Sequence, residues 1–159
     1  MLNNCRHLGN ILVEETNRKE LNFGKYITVP TEGIICSIID CSLSRLKQDT
    51  ERIIYRELGD QDWLFSGDEK QNGQYQIYRD MKALLADNWH SFEPRSNLLW
   101  LHFIVTELKD KNKALVKKEP SLAKNIDAFA IMLDPRNPGG YKNSREALKD
   151  ELFLFKNAA

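Results

Sequence analysis

Cysteine, glycine and proline are scarce in this chain, and each scarcity closes off a class of protein. The three cysteines, Cys5, Cys36 and Cys41, form no CxxC pair, so neither a zinc ribbon nor a disulfide scaffold is available. Cys36 and Cys41 stand five apart, which on a helix points them in different directions, and no local disulfide is expected. Eight glycines are too sparse for a phosphate-binding loop, since Gly139 and Gly140 follow Pro138 and open no strand-to-helix turn. The histidines, His7, His90 and His102, have no HxxxH or HxH spacing, so no metal and no cofactor is expected. Net charge is missing too: 23 basic and 23 acidic side chains cancel, and no long-range field steers the chain to nucleic acid or an anionic membrane. No apolar run approaches the ~20 residues of a membrane span, and the start MLNNCRHLGNILVEE lacks the long apolar core of a signal peptide. A soluble, cytoplasmic protein without membrane contact is the expectation.

What the chain does have is helical periodicity. Its 159 residues suit one domain, 1–159, with residues 1–30 as a loosely packed N-terminal segment. Residues 4–16 can form a short helix with Leu8, Ile11 and Leu12 inward. KYITV alternates and, with PTEG and IICSIID after it, allows a hairpin over 25–39. The spacing of Ile35, Ile39, Leu43, Leu46, Ile53, Ile54 and Leu58 favours a helix instead, capped by Thr31 and ended by Gly59. Further helices are read over 74–88, from Pro94 or Asn97 to about Lys118, and over 121–133. Asn143 with Glu146 three residues later forms a capping-box variant opening a last helix that carries Leu148, Leu152 and Phe155 on one face. The fold class that follows is an all-α single-domain bundle of five or six helices, with Leu84, Leu99, Ile104, Leu108, Phe129, Leu148 and Leu152 in its core.

One pairing in this pattern carries chemistry. His102 lies inside the apolar run LLWLHFIV, seven positions after Arg95, so on a helix from Pro94 the two fall two turns apart on nearly one face. A lone His on such a face is more often a hydrogen-bonded core residue. Taken with Arg95 it would supply a proton shuttle and a cation for a phosphate in the transition state, the needs of metal-independent RNA cleavage, with His90 assisting.

The Arg95-to-His102 spacing resembles the R-x(4-6)-H motif of the HEPN superfamily, helical bundles of prokaryotic defence systems of which many are ribonucleases. ELKDKNKALVKKE resembles the same family in a second register, with Lys111 in the arginine position, Asn112 beside it and Val116 in the histidine position. The first register implies that Arg95 and His102 are catalytic; the second implies that the catalytic groups are lost.

The reading preferred over the ribonuclease is a non-catalytic helical protein-binding module of the immunity, antitoxin or regulator type. Trp63, Phe65, Trp89, His90 and Phe92, in the loops DWLFSG and NWHSFEP, are its expected partner contacts, the partner being another protein or a second copy in a homodimer. RNA is a partner only under the ribonuclease reading.

Overall fold

The computed structural model describes residues 8–24, 27–50 and 52–150. After a 3-10 turn at Leu8–Asn10, the N-terminal third is strand: β1 (Ile11–Glu15), β2 (Glu20–Phe23), β3 (Ile27–Pro30) and β4 (Ile34–Ile38). β1 pairs antiparallel with β4, Ile11 opposite Ile38, and β2 with β3, Glu20 opposite Pro30. The two pairs are successive stretches of one long two-stranded ribbon. At the break between them residues 16–19 face residues 31–33, one residue fewer. Glu32 and Gly33 accommodate this by entering the left-handed region (φ 50° and 84°), and the buried Thr31 hydroxyl donates to the Arg18 carbonyl. Two further short strands, β5 (Leu46–Lys47) and β6 (Ile53–Ile54), pair with one another.

These strands overturn the expected all-α bundle; the chain is a mixed structure of ribbon and helices. The helix expected from Thr31 to Gly59 does not form. Its residues 34–38, IICSI, are β-branched in three of five places and pair with ILVEE instead, because isoleucine is stiff at χ1 and suits an extended backbone. The spacing by threes and fours misleads because the ribbon is exposed on both faces, Leu12, Val13, Ile34 and Ile38 among its exposed side chains. No inward face imposes a period of two. The helix expected over 4–16 is likewise replaced by the 3-10 turn and β1, its residues 4–7 lying outside the described residues.

The remainder is helical: α1 (Asp62–Ser66), α2 (Gln74–Leu85), α3 (Arg95–Lys111), α4 (Lys113–Val116), α5 (Pro120–Leu133) and α6 (Ser144–Ala147). α3 is central because it is apolar on two sides. One side packs Leu99, Trp100 and Phe103 against Ile77, Tyr78, Met81 and Leu85 of α2, Leu64 of α1, and Leu43, Leu58 and Trp89 from connecting segments. The other packs Leu98 against Phe129, Leu133, Tyr141 and Ala147. Trp100, fully buried, donates its indole N–H to Met81 Sδ at 3.1 Å and meets the Tyr78 ring edge-on.

Local chemistry sets the helix ends. α2 stops where Ala86 and Asp87 turn left-handed. Asn112 interrupts the expected long helix by returning its amide to the Leu108 carbonyl. Asn143 accepts from the backbone N–H groups of Arg145 and Glu146, and Glu146 accepts from the Lys142 N–H, the reciprocal cap read in the sequence. Of the expected core, Leu99 and Phe129 are buried, Leu84, Ile104 and Leu148 half-buried, and Leu108 is 47% exposed. Leu152 and Phe155 lie outside the described residues. No helix among the described residues is long and apolar enough to cross a membrane.

Candidate active site

The ribbon brings together two side chains that the sequence keeps thirty residues apart. Asn10 is the residue before β1, and Asp40 lies two residues beyond β4. The ladder continues past the strands, Ile39 N–H donating to the Asn10 carbonyl at 3.0 Å. The Asn10 side-chain amide then approaches Asp40 Oδ2 at 3.4 Å, a loose hydrogen bond. The other carboxylate oxygen accepts the Ser42 N–H at 2.8 Å, and the Cys41 carbonyl accepts the Ser44 N–H at 2.9 Å, so Asp40 heads a tight turn. Leu43 then enters the core. Arg45 follows, 7% exposed, its Nε donating to the His90 carbonyl at 2.7 Å and its guanidinium lying 5.5 Å from the Phe92 ring centre.

Beside Leu8 and Gly9, which lead into Asn10, opens a polar hollow of about 390 Å³ walled by Glu69, Gly73, Phe103 and Glu107. Its Glu69 edge is braced. Arg79 donates to the carbonyls of Phe65 and Gly67 and pairs with Glu69 at 2.8 Å. The Glu69 carboxyl is held below its ordinary range by its own backbone N–H and by the Arg79 charge.

Asn10 and Asp40 offer hard oxygen donors. No cluster of three or more His, Cys, Asp or Glu exists among the described residues. A softer or fully protein-caged metal therefore has no place here, whereas Mg²⁺, which takes one or two carboxylates and fills its remaining positions with water and phosphate oxygens, fits such a pair.

The residues singled out from the sequence lie elsewhere. Arg95 and His102 both sit on α3, but in separate company. Arg95 forks onto Glu93, Nε to Oε1 at 2.9 Å and Nη2 to Oε2 at 3.0 Å, which raises the guanidinium and lowers the carboxyl from their ordinary values. His102 is half-buried; burial lowers its pKa, and the charges around it are those of Asp134, Arg136 and Asp80. Among the loop aromatics, Trp89 is a core residue, 3% exposed, with its indole N–H on Asp87 at 2.8 Å. Phe65 packs against the same core with the Lys82 ammonium over its ring. Trp63 and Phe92, each 58% exposed, face outward, and the exposed His90 sets its ring edge-on to Tyr55. His7 and Cys5 lie outside the described residues.

In protein kinases an asparagine of the catalytic loop and the aspartate of a segment that usually reads Asp-Phe-Gly hold Mg²⁺; in this chain Asp40 is followed by Cys41 and Ser42. The comparisons with known proteins identify the family. Residues 5–157 match the model of the haspin-like kinase domain, and the chain belongs to that family. It is 35% identical over 123 residues to the serine/threonine-protein kinase haspin of Mus musculus, covering 76% of this chain and 16% of the relative. It is 34% identical over 150 residues to the haspin homolog of Arabidopsis thaliana (92% and 24%) and 36% identical over 112 residues to that of Drosophila melanogaster (67% and 19%). The chain thus spans roughly a sixth to a quarter of the length of these relatives.

This membership replaces the HEPN resemblance, and with it both the ribonuclease and the non-catalytic immunity or antitoxin module. An Arg-x6-His spacing arises readily on any long helix with an arginine at its start, as at Arg95. The residues that sequence reasoning missed are Asn10 and Asp40. The signal available for them was positional: an asparagine directly before an apolar run, ILV, and an aspartate directly after an isoleucine-rich segment, IICSII.

Proposed function

We propose that this chain serves phosphoryl transfer from ATP to a serine or threonine hydroxyl of a protein, with Asn10 and Asp40 as the residues that would hold a divalent cation. The observation that carries the reading is their approach at 3.4 Å across the ribbon. When bound, the cation would neutralise charge on the transferred phosphoryl group. The chain's own part is to fix the two ligands. Ladder pairing at Ile39 sets their separation, and the Asp40 turn orients the carboxylate.

Other parts of the kinase pattern are not within residues 1–159. Neither a GxGxxG loop nor a His-Arg-Asp triplet occurs in them, and the position five before Asn10, where that pattern has its base aspartate, is Cys5. Support for an intracellular, cytoplasmic setting comes from Cys36, an exposed thiol outside any disulfide, which suits a reducing compartment. A protein substrate is the partner this reading supplies, and the outward-facing Trp63, next to the loop that Arg79 braces, is the aromatic we assign to such contact.

The test is Mn²⁺ binding by the chain without added nucleotide, read from loss of the free-ion electron paramagnetic resonance signal. Wild type should retain Mn²⁺ and Asp40→Asn should lose it by at least about tenfold in affinity, as removal of a charged ligand demands. Equal binding by the two proteins would refute the reading.

A further inference from the structure

Resting on the assignment of Asn10 and Asp40 as cation ligands, we infer that Arg45 is a positioning residue for that pair, acting through the turn that Asp40 heads. The ribbon cannot hold Asp40 by burial, since β1 and β4 are largely exposed. Asp40 is instead held from the other side. Ser42 N–H to Asp40 Oδ1 and Ser44 N–H to the Cys41 carbonyl make residues 40–44 a compact unit. That unit is fastened to the helical body at two points, Leu43 in the core and Arg45 beyond it.

The two fastenings differ in kind. Leu43 is an apolar contact that several neighbouring residues share. Arg45 makes a directed one, Nε to the His90 carbonyl at 2.7 Å, across 45 residues of sequence. The receiving segment is itself fixed, because Trp89, one residue earlier, is sealed in the core and bonded to Asp87. The Phe92 ring below the guanidinium closes the seat. A charged side chain placed at 7% exposure is costly to bury. If only volume were needed here, a methionine would fill it more cheaply. The geometry therefore makes Arg45 the polar strut that sets where the Asp40 carboxylate stands relative to Asn10, the role that residues behind metal ligands play elsewhere.

The experiment measures Mn²⁺ affinity of the full chain, without added nucleotide, by the free-ion resonance signal, alongside the thermal midpoint. Arg45→Met keeps the unbranched apolar stem and removes the charge and the donor; it should weaken Mn²⁺ about tenfold, the scale for a residue that supports a ligand. Arg45→Lys, which restores a donor to the His90 carbonyl, should recover most of that loss even where its midpoint matches that of Arg45→Met. A merely structural role would move the midpoints and leave Mn²⁺ affinity of the folded protein unchanged. Should Arg45→Met not fold, Phe92→Leu at its exposed site carries the test, with a weakening of about threefold expected from the loosened seat. Wild-type affinity in the folded Arg45 and Phe92 variants, with Asp40→Asn still defective, would overturn this inference alone. Full affinity in Asp40→Asn would overturn the cation assignment beneath it.

Discussion

Asn10 and Asp40 meet at 3.4 Å although thirty residues of chain separate them, and the register of a two-stranded ribbon is what joins them. A shift of one residue between β1 and β4 would turn the side chains of one limb to the opposite face. Thr31, Glu32 and Gly33 absorb the mismatch further up the ribbon, which leaves the register at its foot intact.

The base position offers a gain-of-function prediction. A general base contributes on the order of 10²- to 10⁴-fold, and Cys5 stands where the kinase pattern has aspartate. Under the proposed phosphoryl transfer, Cys5→Asp should raise transfer of labelled phosphate from ATP to protein serine or threonine by about 10²-fold. An unchanged rate would show that residue 5 does not occupy the base position.

His102 gives the fold a pH dependence. Its pKa in the folded chain is lowered, by burial first, so below its ordinary value of 6.5 the unfolded chain binds the proton more readily. Stability should therefore fall as pH drops through 6.5, and the fall contributed by this residue should level off once the folded-state pKa is passed. Urea midpoints measured across that window should decline less in His102→Gln than in wild type. Parallel declines would remove His102 as the cause.

Gly140 is required by crowding rather than by an unusual φ. A Cβ there would lie 2.8 Å from the Met132 carbonyl oxygen and 3.1 Å from that of Asp134, both backbone atoms that cannot swing aside. Gly140→Ala should cost about 1–3 kcal/mol by overpacking, read from denaturant unfolding, whereas Gly139→Ala, with only the Asn137 side chain at 3.6 Å, should cost less.

Asn143 caps α6 with its side chain, accepting from Arg145 and Glu146. Asn143→Ala should cost about 1 kcal/mol and Asn143→Asp little. Equal losses in the two variants would mean that the cap is not what Asn143 supplies.

The helices were legible where one face is buried and the other wet. Ile77 and Met81 of α2 and the Asn143–Glu146 cap each carry a local signal that tertiary packing does not need to supply, whereas Pro120, read as a stop, opens α5. The ribbon was legible only in part: KYITV alternates and allows a hairpin over 25–39, but β3 pairs with β2 and β4 with β1, and isoleucines spaced by threes and fours on exposed strands imitate a helix stripe. Trp89 reads as a loop aromatic, and only the packing of α2 on α3 shows that its loop folds inward. The site was hidden for a different reason. Asn10 and Asp40 have no mutual spacing that chemistry would recognise, and their meeting depends on non-local pairing of ILVEE with IICSI.

The pair is tested most directly by mapping where a paramagnetic cation binds. With Mn²⁺ and ATP added to the labelled full chain, nuclear magnetic resonance signals of the Asn10 side-chain amide and of the Cys41 and Ser42 backbone amides should broaden first, and Asp40→Asn should abolish that broadening. Broadening centred instead on Asp68 and Glu69, or on any carboxylates far from the ribbon's foot, with Asn10 unaffected, would contradict the assignment of Asn10 and Asp40 as the cation site.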